Sequence, residues 1–129
     1  MKLSEKQQIF TKNIAFLMLF SHFYGIDLTF GEAYRTRSQI LLNYFGFKII
    51  RSGVLGLKLV KSRKLSKTLR SLHADRLAID FNFFIDGELT YDHDKIKPLG
   101  DYWESLDPNN KWGGNFNGFQ DVPHFQMSK

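Results

Sequence analysis

Four residues at two ends of the chain have the types and spacing to do chemistry together: His73 and Asp80, then Asp121 and His124. Asp80 lies in an otherwise apolar run, Leu77-Ala78-Ile79-Asp80-Phe81. A carboxylate in such a strand-like segment is costly to bury unless a cation pairs with it, and a metal ion is one such cation. Catalytic zinc sites take three ligands from His, Asp and Glu and leave one position for water. His73, Asp80 and His124 form such a set. With neutral imidazoles it leaves a divalent ion with a net charge of about +1, which favours ionising a bound water toward a pKa of ~7. Asp121 precedes His124 by three residues, on a loop that Pro123 stiffens, and is the candidate general base beside that water. The chain has no cysteine, so a disulfide framework, a cysteine-held metal and a thiol nucleophile are all excluded.

These residues need elements to hold them. The odd offset between His73 and Asp80 would put them on opposite faces of one regular strand, so His73 belongs on a loop before the strand. The clearest strand is residues 77–85, with Leu77, Ile79, Phe81 and Phe83 on one face and Ala78, Asp80 and Asn82 on the other. Asp86-Gly87 signals a turn, and residues 88–91 return as a short strand. Upstream, Ser4 and Gln7 form a capping-box pattern that opens an amphipathic helix over residues 4–24, carrying Ile9, Phe10, Ile14, Leu17, Met18 and Ser21 and closed by Gly25. A short strand over 26–30, a loop from Gly31 to Thr36 and a second helix over 38–45 follow, the helix with an apolar stripe of Ile40, Leu41, Tyr44 and Phe45. Residues 46–70, with apolar pieces 47–50 and 54–60, read as a helix or a pair of short segments under a basic surface. Residues 94–106 suit a helix that starts near Pro98; Asn109-Asn110 and Gly113-Gly114 mark loops, and residues 124–127 form a terminal strand. The expected class is α+β, a small antiparallel sheet flanked by helices.

One domain with one core suits 129 residues, and thirteen Phe supply ample apolar interior. Between Ala33 and Ala74 there are ten Lys or Arg and no acid, whereas Asp75 to Asp121 holds ten acids. The basic middle implies an anionic partner or a solvated face. No aromatic residue lies between Phe47 and Phe81, so base stacking is poorly supported and nucleic acid is not the expected partner. The apolar run Ile14 to Phe20 is too short to span a membrane and lacks a small-residue cleavage site, so neither a signal peptide nor stable membrane insertion is expected.

The residues also carry a resemblance. Ser71-x-His73-x-x-x-x-Ala78-x-Asp80, followed by Asp121-x-x-His124-Phe125, resembles the zinc peptidases of the D-alanyl-D-alanine carboxypeptidase and L-alanyl-D-glutamate peptidase family. Gly31-Glu32-Ala33-Tyr34-Arg35-Thr36 resembles that family's Tyr-Arg segment, and Trp112-Gly113-Gly114-Asn115-Phe116 resembles the Trp-Gly-Gly-x-Phe run of its phage members. The resemblance implies the zinc D-Ala-D-Ala carboxypeptidase (hedgehog-like) fold and a single catalytic domain over 1–129, acting as a monomer. It implies one Zn2+ on His73, Asp80 and His124, with Asp121 as base. Arg35 would stabilise the oxyanion or bind a substrate carbonyl, Arg37 being the alternative. Ser71 would be a supporting donor near the metal, and Trp112 either core or a wall of the substrate groove.

Two departures stand out. The family's Gly before the Ala is Arg76 here, which leaves either no need for positive φ at that position or a surface contact made by Arg76. The base is Asp rather than Glu, which favours the L-alanyl-D-glutamate endopeptidase branch. The implied function is a zinc peptidase cutting the peptide stem of bacterial peptidoglycan, a phage or prophage endolysin held in the host cytoplasm until its release to the wall. The basic middle would assist contact with anionic envelope polymers. A D-Ala-D-Ala carboxypeptidase, or a non-catalytic wall- or nucleic-acid-binding protein, are the alternatives.

Overall fold

The computed structural model describes residues 1–53, 56–65 and 70–129. Helix α1 (Leu3–Tyr24) buries Phe10, Asn13, Ile14, Leu17 and Ser21 along one stripe. Met18, expected on that stripe, is exposed. The helix opens at Lys2 rather than Ser4: Glu5 accepts from the Lys2 N–H at 2.7 Å, satisfying a donor that the helix start would otherwise leave open. Gln7 is not a capping partner. Its amide reaches 68 residues along the chain to the Asp75 carbonyl, at 2.8 Å. Gly25 closes the helix at φ +95°, the left-handed region a residue with a Cβ rarely adopts.

Strand β1 (Asp27–Phe30) pairs antiparallel with β4 (Ala78–Ile85), which is the centre of the main sheet. On the other side of β4 lies β7 (His124–Met127), and beyond it β6 (Asn110–Trp112). Strand β5 (Glu88–Thr90) returns along β4 through Asp86 and Gly87, both at positive φ, as the two-residue hairpin signal requires. The α+β class is therefore observed, with one addition. The sequence reading took Asn109-Asn110 as loop, whereas Asn110 begins β6: it is 1% exposed and its side-chain amide donates to the Trp103 carbonyl.

Helix α3 (His93–Leu106) starts well before Pro98, because Asp92 caps it by accepting from the N–H groups of Asp94 and Lys95. It buries Ile96, Leu99, Gly100 and Trp103, an i, i+3, i+4, i+7 stripe. The rings of Phe10, Trp103 and Phe125 meet edge to face at 5.6 and 6.0 Å, joining α1, α3 and β7 in one core with Phe81 and Phe83 of β4. The odd-numbered residues of β4 thus face the helices, and Asp80 is left on the opposite face.

Helix α2 (Arg37–Phe45), capped by Thr36 on the Gln39 N–H, buries only Ile40 of its expected stripe. The next residues are a hairpin and not a helix. β2 (Phe47–Ser52) pairs with β3 (Gly56–Lys61) in a separate two-stranded sheet. Phe47, Ile49, Ile50 and Val60, aromatic or β-branched, favour strand, and Gly46, Gly53 and Gly56 bound the two short pieces. Val54 and Leu55, at the start of the second expected apolar piece, lie outside the described residues.

Gly100 and Gly114 box in the ring of Trp112, since a Cβ at either would overlap it. Gly100→Ala is expected to destabilise the protein by about 1–3 kcal/mol, read from the midpoint of urea unfolding. An unobstructed helical Gly→Ala change stabilises by up to about 1 kcal/mol, so the sign of the shift decides the matter.

Candidate metal centre and surrounding cavity

Asp80 and His124 are directly opposed in the β4–β7 register, and paired residues of an antiparallel ladder share a face. His73 arrives from the turn before β4, where Ala74, Asp75 and Arg76 donate to the carbonyls of Ser71, Leu72 and His73. The loop position that the odd offset requires for His73 is the one it occupies. His73 Nε2 lies 3.2 Å from His124 Nδ1 and 3.5 Å from Asp80 Oδ1, and His124 Nδ1 lies 3.0 Å from Asp80 Oδ1. Four ligands at ~2.0–2.2 Å around a tetrahedral ion stand about 3.3–3.6 Å apart, so this triangle, with sides of 3.0, 3.2 and 3.5 Å, is within a few tenths of an ångström of that size.

The tautomers point the same way. His124 Nε2 is 2.8 Å from Gln126 Oε1, a pure acceptor, so Nε2 carries a proton and donates it. A neutral His124 then aims the Nδ1 lone pair at a carboxylate oxygen, an arrangement that needs a cation between them. Burial pulls the His124 imidazolium down, but the Asp80 and Gln126 hydrogen bonds outweigh it and leave the pKa raised. Burial pushes the Asp80 carboxyl up, but hydrogen bonds and charge from His124 and His73 override it and hold it well below the usual carboxylate range. Either a proton or a metal ion answers this demand for positive charge, and a bound metal would displace the proton. Among the described residues these three form the group able to hold a metal. Gln126 was missed from the sequence; its signal was the His124-x-Gln126 spacing, which puts both side chains on one strand face.

The centre opens into a cavity of about 900 Å³. Asp121 and Arg35 both line it. Burial raises the Asp121 pKa, with Asp80 adding repulsion against the attraction of His124, His73 and Arg35. Arg35 Nε and Nη2 donate to the two carboxylate oxygens of Glu32 at 2.8 and 2.6 Å. That fork raises the Arg35 pKa and lowers that of Glu32. Glu32 was not singled out from the sequence. Its backbone carbonyl accepts from the Asp80 N–H at 2.8 Å, and Gly31 N–H donates to the Asp80 carbonyl, so the arginine's anchor is bonded to the strand that carries Asp80. Arg37, the alternative, opens α2 and does not line the cavity. Phe116 and Phe119 form an apolar wall that the sequence reading did not assign.

Of the two alternatives for Trp112, core or groove wall, the structure shows the first: it is 0% exposed and lines no part of the cavity. Its indole N–H donates to the Val122 carbonyl at 2.8 Å and so braces the loop between Asp121 and His124; glycines on both sides of a Trp fit tight packing as well as a groove. Ser71 lines the cavity, and its hydroxyl accepts from the His73 N–H at 3.3 Å, which leaves its own proton available as a donor. His93, the first residue of α3, stacks on Trp112 at 5.0 Å, and its Nε2 bonds the Gly114 carbonyl at 2.9 Å.

The family model described as D-alanyl-D-alanine carboxypeptidase matches residues 64–127, a segment holding His73, Asp80, Asp121 and His124. That match, over 64 of the 129 residues, supports the zinc peptidase family expected from the sequence. Among solved structures, the Serratia marcescens L-Ala D-Glu endopeptidase ChiX superposes with a TM-score of 0.56 and 19% sequence identity, covering 80% of this chain and 68% of that one. That likeness supports the zinc carboxypeptidase fold expected from the sequence. No curated protein matches the chain by sequence.

The position at which the resemblance places a Gly has a glycine-like backbone conformation in this chain. Arg76 has φ +55°, so positive φ is needed after all, and its guanidinium also lies over the Tyr34 ring at 4.6 Å. Left-handed backbone costs a residue with a Cβ about 1 kcal/mol, which a cation–π contact of similar size offsets. Arg76→Ala is expected to lose the contact and keep the strain, while Arg76→Gly loses both. Thermal unfolding should therefore rank Arg76→Gly above Arg76→Ala by about 1 kcal/mol.

Proposed function

We propose that the protein is a zinc-dependent peptidoglycan peptidase, an L-alanyl-D-glutamate endopeptidase acting as a phage or prophage endolysin. The observation that carries the peptidase reading is the convergence on one cavity of three metal-type donors 3.0–3.5 Å apart, a carboxylate and an arginine. His73 Nε2, Asp80 Oδ1 and His124 Nδ1 are the atoms that would hold zinc. When bound there, zinc polarises the scissile carbonyl and makes a water more acidic.

The chain's own residues do the rest. Asp121 accepts a proton from the attacking water as the new C–O bond forms, then delivers it to the amine as the C–N bond breaks. Burial favours its neutral form and so makes it a stronger base than a solvated aspartate. Arg35 supplies fixed positive charge where the carbonyl oxygen becomes anionic, and the Glu32 fork holds its guanidinium in one orientation. Phe116 and Phe119 exclude water from one side of the cleft and offer an apolar surface to the substrate's alkyl portions.

The endopeptidase assignment draws on Asp in Asp121-x-x-His124 and on the fold shared with the L-Ala D-Glu endopeptidase. The family description favours a second reading, removal of terminal D-alanine. Digestion of purified peptidoglycan separates them: new N-terminal D-Glu is expected, and release of free D-Ala without it would establish the carboxypeptidase.

Chelation should abolish hydrolysis and added Zn2+ should restore it. Asp121→Asn should bind zinc in calorimetric titration as the parent does, while its hydrolysis falls by about 10²–10⁴-fold. His73→Ala should lose the metal itself. Because Asp121 must be ionised to accept a proton, kcat/KM should rise with pH through a pKa above the ordinary aspartate value and be lost below it.

A further inference from the structure

The β2–β3 hairpin is the least explained part of the molecule. Among the described residues no other strand pairs with it. Every described residue of the two strands except Val60 is exposed, on both faces. A lone two-stranded hairpin is marginal in water, and one that exposes aliphatic side chains on both faces is poorly matched to water.

The register shows how those side chains are disposed. Ile49 opposes Leu59 and Arg51 opposes Leu57, and with Phe47 and Lys61 these residues share a face. Ile49, Leu57 and Leu59 are 55, 78 and 57% exposed. The other face carries Ile50 opposite Lys58, and Lys48 opposite Val60. Each face therefore combines aliphatic residues with two cations, and no acid lies anywhere between Ala33 and Ala74.

We propose that this hairpin is a docking element for the surface of an anionic lipid bilayer. Leu and Ile side chains enter the boundary between headgroups and acyl chains, while Lys and Arg extend along that apolar surface to meet lipid phosphates. Anionic lipid is the one partner that satisfies both parts of the pattern. A second copy of the chain, docked hairpin to hairpin, would bring cations against cations. Nucleic acid would leave the aliphatic side chains without partners, and Phe47 is the only aromatic on the two strands. The inference stands apart from the peptidase reading, and it calls for contact at the interface, not for a spanning segment. No described helix is long and apolar enough to cross a membrane.

The test is co-sedimentation of the full chain with vesicles of phosphatidylglycerol and phosphatidylcholine, against vesicles of phosphatidylcholine alone, at low ionic strength. Binding is expected only to the anionic vesicles and should weaken with added salt. Each cation near such a surface is worth about a fivefold change in partitioning, so Lys48→Gln with Lys58→Gln should reduce it by about 25-fold. Leu57→Ser with Leu59→Ser should also reduce it. These positions are exposed and outside the cavity, so circular dichroism and the zinc affinity should be unchanged. Equal binding to neutral vesicles, or no response to the lysine changes, would overturn the proposal. So would a dimer in sedimentation velocity that the leucine changes dissociate, since that would make a second copy the occupant.

Discussion

The whole site depends on one register, the pairing of Asp80 with His124 across β4 and β7. Strand side chains alternate with a period of two, so a slip of one residue would turn Asp80 away from His124 and bring a core residue into the cavity. The fold guards against that slip from the opposite face. Ile79, Phe81 and Phe125 are buried against the helices, and moving any of them to the cavity side would remove a large apolar side chain from the core. Burying such a side chain is worth about 1.5–3 kcal/mol, so the hydrophobic face sets the polar one.

The residues around this pair are held mainly through backbone. Asp80 is bonded at its N–H to the Glu32 carbonyl and at its carbonyl to the Gly31 N–H, which brings Arg35 into the neighbourhood of the centre. On the other side, the Asp121 N–H donates to the Gly113 carbonyl and the Asp121 carbonyl accepts from the His124 N–H. A Cβ on Gly113 would overlap that Asp121 carbonyl, so the close approach needs glycine there. Trp112 then fixes Val122 from beneath. A carboxylate and an arginine far apart in the sequence are thus presented to one cavity by elements that never touch the reacting groups.

Charge follows the same division of labour. The acids that matter to the centre are drawn in against histidine or arginine, and Lys and Arg predominate on the outlying hairpin. A hairpin with so little burial contributes little to the core, which leaves its composition free to be set by a partner. Lys64 and Arg70 also line the cavity, so the basic character reaches the mouth of the site as well as the hairpin.

The sequence by itself determined the elements whose signals are local. The α1 stripe, the Asp86-Gly87 turn, the alternation of β4 and the need for His73 to precede that strand are all set by spacing and backbone sterics within a few residues. The three metal-type donors were legible too, because a carboxylate in an apolar strand is conspicuous. What lay beyond it were facts that depend on distant backbone. Glu32 becomes Arg35's anchor only because the chain after β1 runs beside Asp80. Trp112 is a brace and not a groove wall because Gly100, from α3, lets it sink into the core. The Arg76 position kept a glycine-like φ because the turn carrying His73 must reverse there, whatever residue occupies it. The hairpin stood only as one of two alternatives, a pair of short segments beside a helix, for the opposite reason. With almost nothing packed against it, its sequence lacks the one-sided apolar face by which strands are recognised. Local patterning reports which face of an element is buried; which atoms meet across elements is decided only when the chain closes on itself.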